Sequence, residues 1–138
     1  DFSNKHRHLR QICLANDDKA LIGGACVVTG WGVTNMTTFK MPEILQKATL
    51  PIKKTEECIK IYKDLIKRPD RVVCGAGDGK TDCHSDSGGP LQYKRKDGRW
   101  TQIGIVSFGT PNCKLNKPGV YSRVSQFRKW IEETIKNE

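Results

Sequence analysis

GKTDCHSDSGGP, residues 79–90, is the stretch on which the reading of this sequence turns. It holds two serines, Ser85 and Ser87, and the second has an acid before it, Asp86, and Gly88-Gly89-Pro90 after it. Taken alone, Ser-Gly-Gly-Pro is simply a turn. A glycine-rich turn is also what a nucleophilic serine needs, because its hydroxyl must stand in the open with N–H groups close by for a developing oxyanion. A serine hydroxyl is a poor nucleophile without a base beside it, so a histidine and an orienting carboxylate have to be found. The histidines are His6, His8 and His84.

Working outward, the 138 residues amount to one domain with enough chain for a core. Hydrophobic residues make up 36% and charged residues 28%, a soluble globular balance. Twenty-four Lys and Arg against 15 Asp and Glu give a formal charge of +9. The basic residues are scattered as Lys53-Lys54, Lys60, Lys63, Lys67-Arg68, Lys94-Arg95-Lys96 and Arg128-Lys129, with no interleaved aromatics and no nucleic-acid motif. They read as a solvated basic surface rather than a nucleic-acid site, and leave heparin-like polyanions as a partner class. No apolar run is long enough to span a membrane, so no membrane partner is expected.

Six cysteines lie at 13, 26, 58, 74, 83 and 113. None forms C-x-x-C and no histidine spacing suits zinc, so no metal is expected. No convincing calcium loop occurs either, and no cofactor is implied. The wide scatter reads as a disulfide framework and an oxidising, secreted setting. Asn35-Met36-Thr37 is a glycosylation sequon consistent with that setting. There is no starting Met and no signal peptide, and the chain is expected to begin partway through a longer protein.

Local patterns describe an all-β unit closed by a helix. Residues 1–20 are polar and turn-rich, a linker running into a strand. Residues 21–32, 44–54, 71–75 and 118–124 read as strands, and residues 33–43 as an exposed loop. Residues 90–109 read as a hairpin about a Lys96-Asp97-Gly98 turn. Residues 55–66 carry a helix period with Cys58, Ile61, Tyr62 and Leu65 on one face and Thr55 as N-cap. The last segment is an amphipathic helix with Ser125 as cap and Phe127, Trp130, Ile131 and Ile135 on one face. Short strands separated by turns predict a small six-stranded Greek-key β-barrel with a C-terminal helix and one short intermediate helix.

GWG at 30–32, DSGGP at 86–90, IVSFG at 105–109, KPGVYSRV at 117–124 and FRKWI at 127–131 occur in that order. Together they resemble the second barrel of the chymotrypsin/trypsin family of serine proteases, over nearly the whole chain. The resemblance implies a strap between barrels over 1–20 and a C-terminal barrel over 21–138. It implies Ser87 as the nucleophile and the N–H groups of Ser85 and Ser87 as the oxyanion hole. Asp86 becomes the carboxylate that receives the new N-terminal amine when a zymogen is cut. Ser107, Phe108 and Gly109 become the strand that pairs with substrate backbone, and Thr81, Asp82, Gly109 and Gly119 the lining of the specificity pocket. His84 becomes a rim residue over the cleft. The resemblance pairs Cys58 with Cys74 and Cys83 with Cys113. Cys13 matches a position that in many relatives bonds to the segment upstream of the activation cleavage. The residue that would face Cys26 is Tyr93, which leaves Cys26 free, paired with Cys13, or bonded to something outside the chain.

The missing base answers the search for a triad. In this family the histidine and aspartate lie on the first barrel, and neither His6 nor His8 sits in the family's Ala-Ala-His-Cys setting. The chain alone therefore lacks a triad, and the resemblance implies a partner, the N-terminal half of the protease domain. Protein or peptide substrates and protein inhibitors are the further partners implied. Two departures bear on activity. Ser85 stands where the family has glycine, and its Cβ is expected to block the conformation that aims an oxyanion donor, at a cost of roughly 3–4 kcal/mol in the transition state. Thr81 stands at the pocket floor where Lys/Arg-cleaving relatives carry Asp; Asp82, one place later, either reaches a basic side chain from the wall or points elsewhere. The expectation is a secreted trypsin-like endopeptidase seen as its C-terminal portion, with a pseudoprotease binding proteins or polyanions as the alternative. In isolation, Asp86 is expected to lie partly buried without its amine partner and the nucleophile loop to be disordered or rearranged.

Overall fold

The computed structural model of the chain describes residues 8–76, 83–110, 113 and 117–137. It contains seven strands and two α-helices among these residues: β1 (Cys13–Leu14), β2 (Ala25–Gly30), β3 (Gln46–Lys53), α1 (Thr55–Tyr62), β4 (Val72–Gly75), β5 (Pro90–Lys94), β6 (Trp100–Phe108), β7 (Gly119–Arg123) and α2 (Val124–Lys136). Hydrogen bonding runs β2-β3-β4-β7-β6-β5 and returns to β2, every pair antiparallel. Closure removes both sheet edges, and this is the six-stranded barrel that the strand pattern predicts. β1 adds to β6 in parallel outside the ring, with Cys13 opposite Thr101.

Strand alternation explains the core. Cys26 and Val28 of β2, and Leu50 and Ile52 of β3, point inward with Val73, Leu91, Ile103, Val106 and Tyr121. A second cluster, Cys58, Tyr62, Ile66, Cys74 and Val120, packs α1 against β4 and β7. The Cys58–Cys74 disulfide crosses that cluster, and the Tyr62 hydroxyl donates to the Pro118 carbonyl at 2.7 Å just ahead of β7.

The helices differ from expectation in their caps and faces. α1 begins at Thr55 with Lys54 in the cap position, and Thr55 Oγ1 instead accepts from Arg123 at 3.3 Å. α2 begins at Val124 with Arg123 as cap, while the Ser125 hydroxyl donates to Asp18 at 3.3 Å. In both cases the hydroxyl is drawn to a buried ion pair and away from the helix end. Asp18 is 4% exposed and meets Arg123 at 3.0 Å, and Arg123 also donates twice to the Val72 carbonyl. Ile61 faces solvent because α1 turns Cys58 and Tyr62 inward, and past the end of α1 Leu65 is exposed and Ile66 takes the inward place. Trp130 and Ile135 are also exposed, since α2 rests on the barrel chiefly through its first turn, where Val124 is buried.

Candidate functional site

The site is built where β6 runs out of the barrel. The turn after residue 83 is held in steps: the Asp86 N–H donates to the Cys83 carbonyl at 3.1 Å and the Gly89 N–H to the Asp86 carbonyl at 2.9 Å. Gly88 N–H donates to Val106 and Val106 N–H to Gly89, both at 2.9 Å, so the turn is pinned to β6 from both sides. The Cys83–Cys113 disulfide anchors its start. Between these anchors Ser87 is exposed. Among the described residues no acceptor engages the N–H of Ser85 or of Ser87. Residues 83–90 therefore have a defined course; of the disordered or rearranged loop that is expected, this part is ordered.

Asp86 is half-buried and has partners. Its Oδ1 accepts from the Gly32 N–H at 2.8 Å and its Oδ2 from the Cys83 N–H at 3.0 Å. Two backbone donors thus engage the carboxylate that is expected to lie partly buried without its amine partner. The carboxylate fits only because Gly30 and Gly32 lack side chains. A Cβ on Gly30 would lie 2.0 Å from Oδ1, and one on Gly32 2.3 Å from Cγ and Oδ2. The GWG stretch at the end of β2 is therefore the seat of Asp86, a role the sequence reading did not see. Two glycines flanking one residue at a strand end are the available hint, since they often mark a close backbone approach.

Ser85 takes φ +72°, a left-handed conformation that favours glycine, despite its Cβ. The Cβ brings strain and does not keep the backbone out of that region. His84 is exposed and its ring stacks on Phe39 with centroids 5.6 Å apart, while its carbonyl accepts from Val33 N–H at 2.9 Å. Met36 Sδ approaches Cys83 Sγ to 3.5 Å. The loop after β2 therefore lies along the serine turn, a neighbourhood with no local signature in the sequence.

Ser107 is exposed at a register shift between Val106 and Phe108, outside the β6–β7 ladder. Such bulges free a residue from its own sheet. Phe108 turns inward and meets Tyr62 edge-on at 5.6 Å. Gly109 and Gly119 face each other, with a Cβ on Gly109 reaching 3.9 Å from Gly119 Cα. Thr81 and Asp82 lie outside the described residues, as does His6, so the pocket reading placed on Thr81 and Asp82 rests on sequence. His8 is exposed in the N-terminal segment.

Of the alternatives for the remaining cysteines, the structure shows Cys13 and Cys26 unbonded to each other. Cys26 is buried in the barrel core with Tyr93 packed against the same cluster. Burial first, and the Asp18 carboxylate second, push its thiol up to about 12. It is a core residue, not a reactive group. Among the described residues no cluster of His, Cys, Asp and Glu could hold a metal ion, and no helix is long and apolar enough to cross a membrane.

The chain is thus a closed antiparallel barrel that carries an exposed serine on a disulfide-anchored glycine turn. The family model described as Trypsin matches residues 3–131. Serine proteinase stubble of Drosophila melanogaster is 37% identical over 134 residues, covering 94% of this chain and 17% of that protein. The chain belongs to the trypsin family of serine proteases. It spans 17% of the length of that curated relative.

Proposed function

We propose that this chain is the C-terminal barrel of a secreted trypsin-like serine endopeptidase, made as a zymogen, in which Ser87 is the nucleophile. Ser87 Oγ attacks the scissile carbonyl carbon, and a histidine upstream of Asp1 takes its proton. The oxyanion that forms is met by the N–H groups of Ser85 and Ser87. The leaving amine then takes the proton back, and water releases the acyl group. Asp86 holds the turn in place and, in the cleaved parent, receives the new N-terminal amine. Ser107, Phe108 and Gly109 pair with the substrate backbone as an added strand, which Ser107's place outside its own ladder supports. Gly109 and Gly119 form the narrow wall of the specificity pocket, with Thr81 and Asp82 at its floor and side. His84 lies on the rim. The first barrel, carrying the histidine and aspartate, is the obligatory partner; protein substrates and protein inhibitors bind across both.

The observation that carries this reading is the Ser87 turn, exposed at its tip and locked beneath by Asp86 on Gly32 and Cys83. The test is fluorophosphonate labelling of the activated full-length parent, with Ser87→Ala as control. Labelling that disappears in the control is expected. An unlabelled but properly folded and cleaved parent refutes the enzyme and leaves a binding protein, for which the basic surface would be examined with heparin-like polyanions.

A further inference from the structure

We propose that Asn35 carries an N-linked glycan that stands at the rim of the Ser87 cleft and limits the size of the proteins that reach it. The site itself rests on chemistry and exposure; the size limit rests on the protease reading above. Asn35, Thr37 and Thr38 are all exposed. The Asn35 Oδ1 accepts from the N–H of Thr37 at 2.8 Å and of Thr38 at 3.1 Å. That arrangement occupies the carbonyl oxygen and leaves Nδ2, the atom to be modified, without a partner among the described residues. Thr37 supplies the hydroxyl two residues on that the acceptor sequence requires. The step is a transfer from a lipid-diphosphate-linked oligosaccharide. A bond forms between Nδ2 and the sugar's C1, the C1–O bond to the diphosphate breaks, an Nδ2 proton goes to solvent, and the lipid diphosphate leaves.

The position gives the glycan its consequence. Asn35 lies between two residues that touch the segment leading into Ser87. Val33 donates to the His84 carbonyl at 2.9 Å, and Met36 contacts Cys83 at 3.5 Å. Phe39, stacked on His84, closes the loop over the same segment. Successive Cα atoms are about 3.8 Å apart and the hydrogen-bonded crossing adds about 5 Å, so this route holds Asn35 within roughly 25 Å of Ser87. The loop is therefore tethered to the site, and a bulky, hydrated chain on it occupies space that a large protein would need and a short peptide would not. Its exposed apolar residues, Phe39 at 60%, Met41 at 51% and Ile44 at 78%, form a surface that the same glycan would cover.

The full-length parent, secreted from eukaryotic cells, is examined by intact mass and by peptide mapping before and after peptide-N-glycosidase. A glycan on the Asn35 peptide that is lost in Asn35→Gln and Thr37→Ala and kept in Thr37→Ser is expected; its absence from the wild-type protein overturns the proposal. For the size limit, the rate of inhibition by a protein-sized serine-protease inhibitor is divided by the rate of fluorophosphonate labelling. The ratio should rise about tenfold or more in Asn35→Gln, with labelling itself unchanged. An unchanged ratio overturns the size limit. If nothing labels, the protease reading fails separately, and shielding is read as the rate at which an added lysine-specific protease cuts after Lys40. Faster cutting in Asn35→Gln sustains the shield, and equal cutting removes it.

Discussion

Replacing Gly32 with alanine tests whether the seat of Asp86 controls the serine turn. The added methyl would lie 2.3 Å from both Cγ and Oδ2 of Asp86, whereas non-bonded carbons settle at about 3.5–4.0 Å. Backbone lies on one side and the pinned turn on the other, so the carboxylate has to leave. It then loses the N–H bonds from Gly32 at 2.8 Å and Cys83 at 3.0 Å. Hydrogen bonds to a charged group contribute about 1.5–3 kcal/mol each, and a half-buried carboxylate recovers part of that from water, so a loss of about 3 kcal/mol is expected. Urea unfolding of the oxidised chain, followed by tryptophan fluorescence, measures it. The decisive comparison is a cycle with Asp86→Ala. With the carboxylate gone, Gly32→Ala should cost under about 1 kcal/mol, giving a coupling near 2 kcal/mol. In the activated parent the same substitution should slow fluorophosphonate labelling by about 10²–10³-fold through a misplaced oxyanion donor. Gly98→Ala is the control: Gly98 has φ +85° with nothing within 4 Å of a Cβ, so strain of roughly 1 kcal/mol should appear without any change in labelling. An additive cycle, in which Gly32→Ala costs the same with and without the Asp86 carboxylate, would refute the reasoning.

Asp18→Ala should destabilise the chain by about 3–5 kcal/mol by leaving the Arg123 guanidinium buried, and Asp18→Ala with Arg123→Met should recover most of it; urea midpoints decide, and a harmless single substitution would mean the pair is not coupled. Cys26 keeps its proton in the folded state well above the pH at which an unfolded thiol ionises, at about 9 against about 12. Its contribution is therefore complete below pH 9 and lost as pH rises toward 12, so stability should fall by up to about 1.4 kcal/mol per pH unit across that window, a slope that Cys26→Ala removes. Ser85→Gly should stabilise by about 0.5–1 kcal/mol, the relief of a left-handed Cβ less the entropy of glycine, and change labelling by less than about threefold, because Ser85 already adopts positive φ. A labelling gain near the 10²–10³ range would show instead that the Cβ distorts the turn.

Local pattern carried a large part of this protein. The strand pattern marked the segments that close into the barrel, and the structure shows which of their residues face inward, among them Cys26, Val28, Leu50 and Ile52, because a period of two gives each strand one buried face. The Ser87 turn and the two disulfides, Cys58–Cys74 and Cys83–Cys113, were legible from motif order and resemblance. What sequence could not reach were contacts between residues far apart with no shared signature. Asp86 meets Gly32 across 54 residues, and Asp18 meets Arg123 across 105. A carboxylate's partner depends on which backbone groups the closed barrel brings within 3 Å, and nothing in a local window encodes that. The same long-range pull moved Thr55 and Ser125 off the caps that their positions suggested, since a buried charge competes more strongly for a hydroxyl than a solvated helix end does. Sequence, through strand pattern and the resemblance that its motifs carry, determined the barrel, the Cys58–Cys74 and Cys83–Cys113 bridges and the serine that stands at its rim. Tertiary structure alone decided what holds that serine's turn in place, because only chain closure sets the distances at which glycines, carboxylates and N–H groups meet.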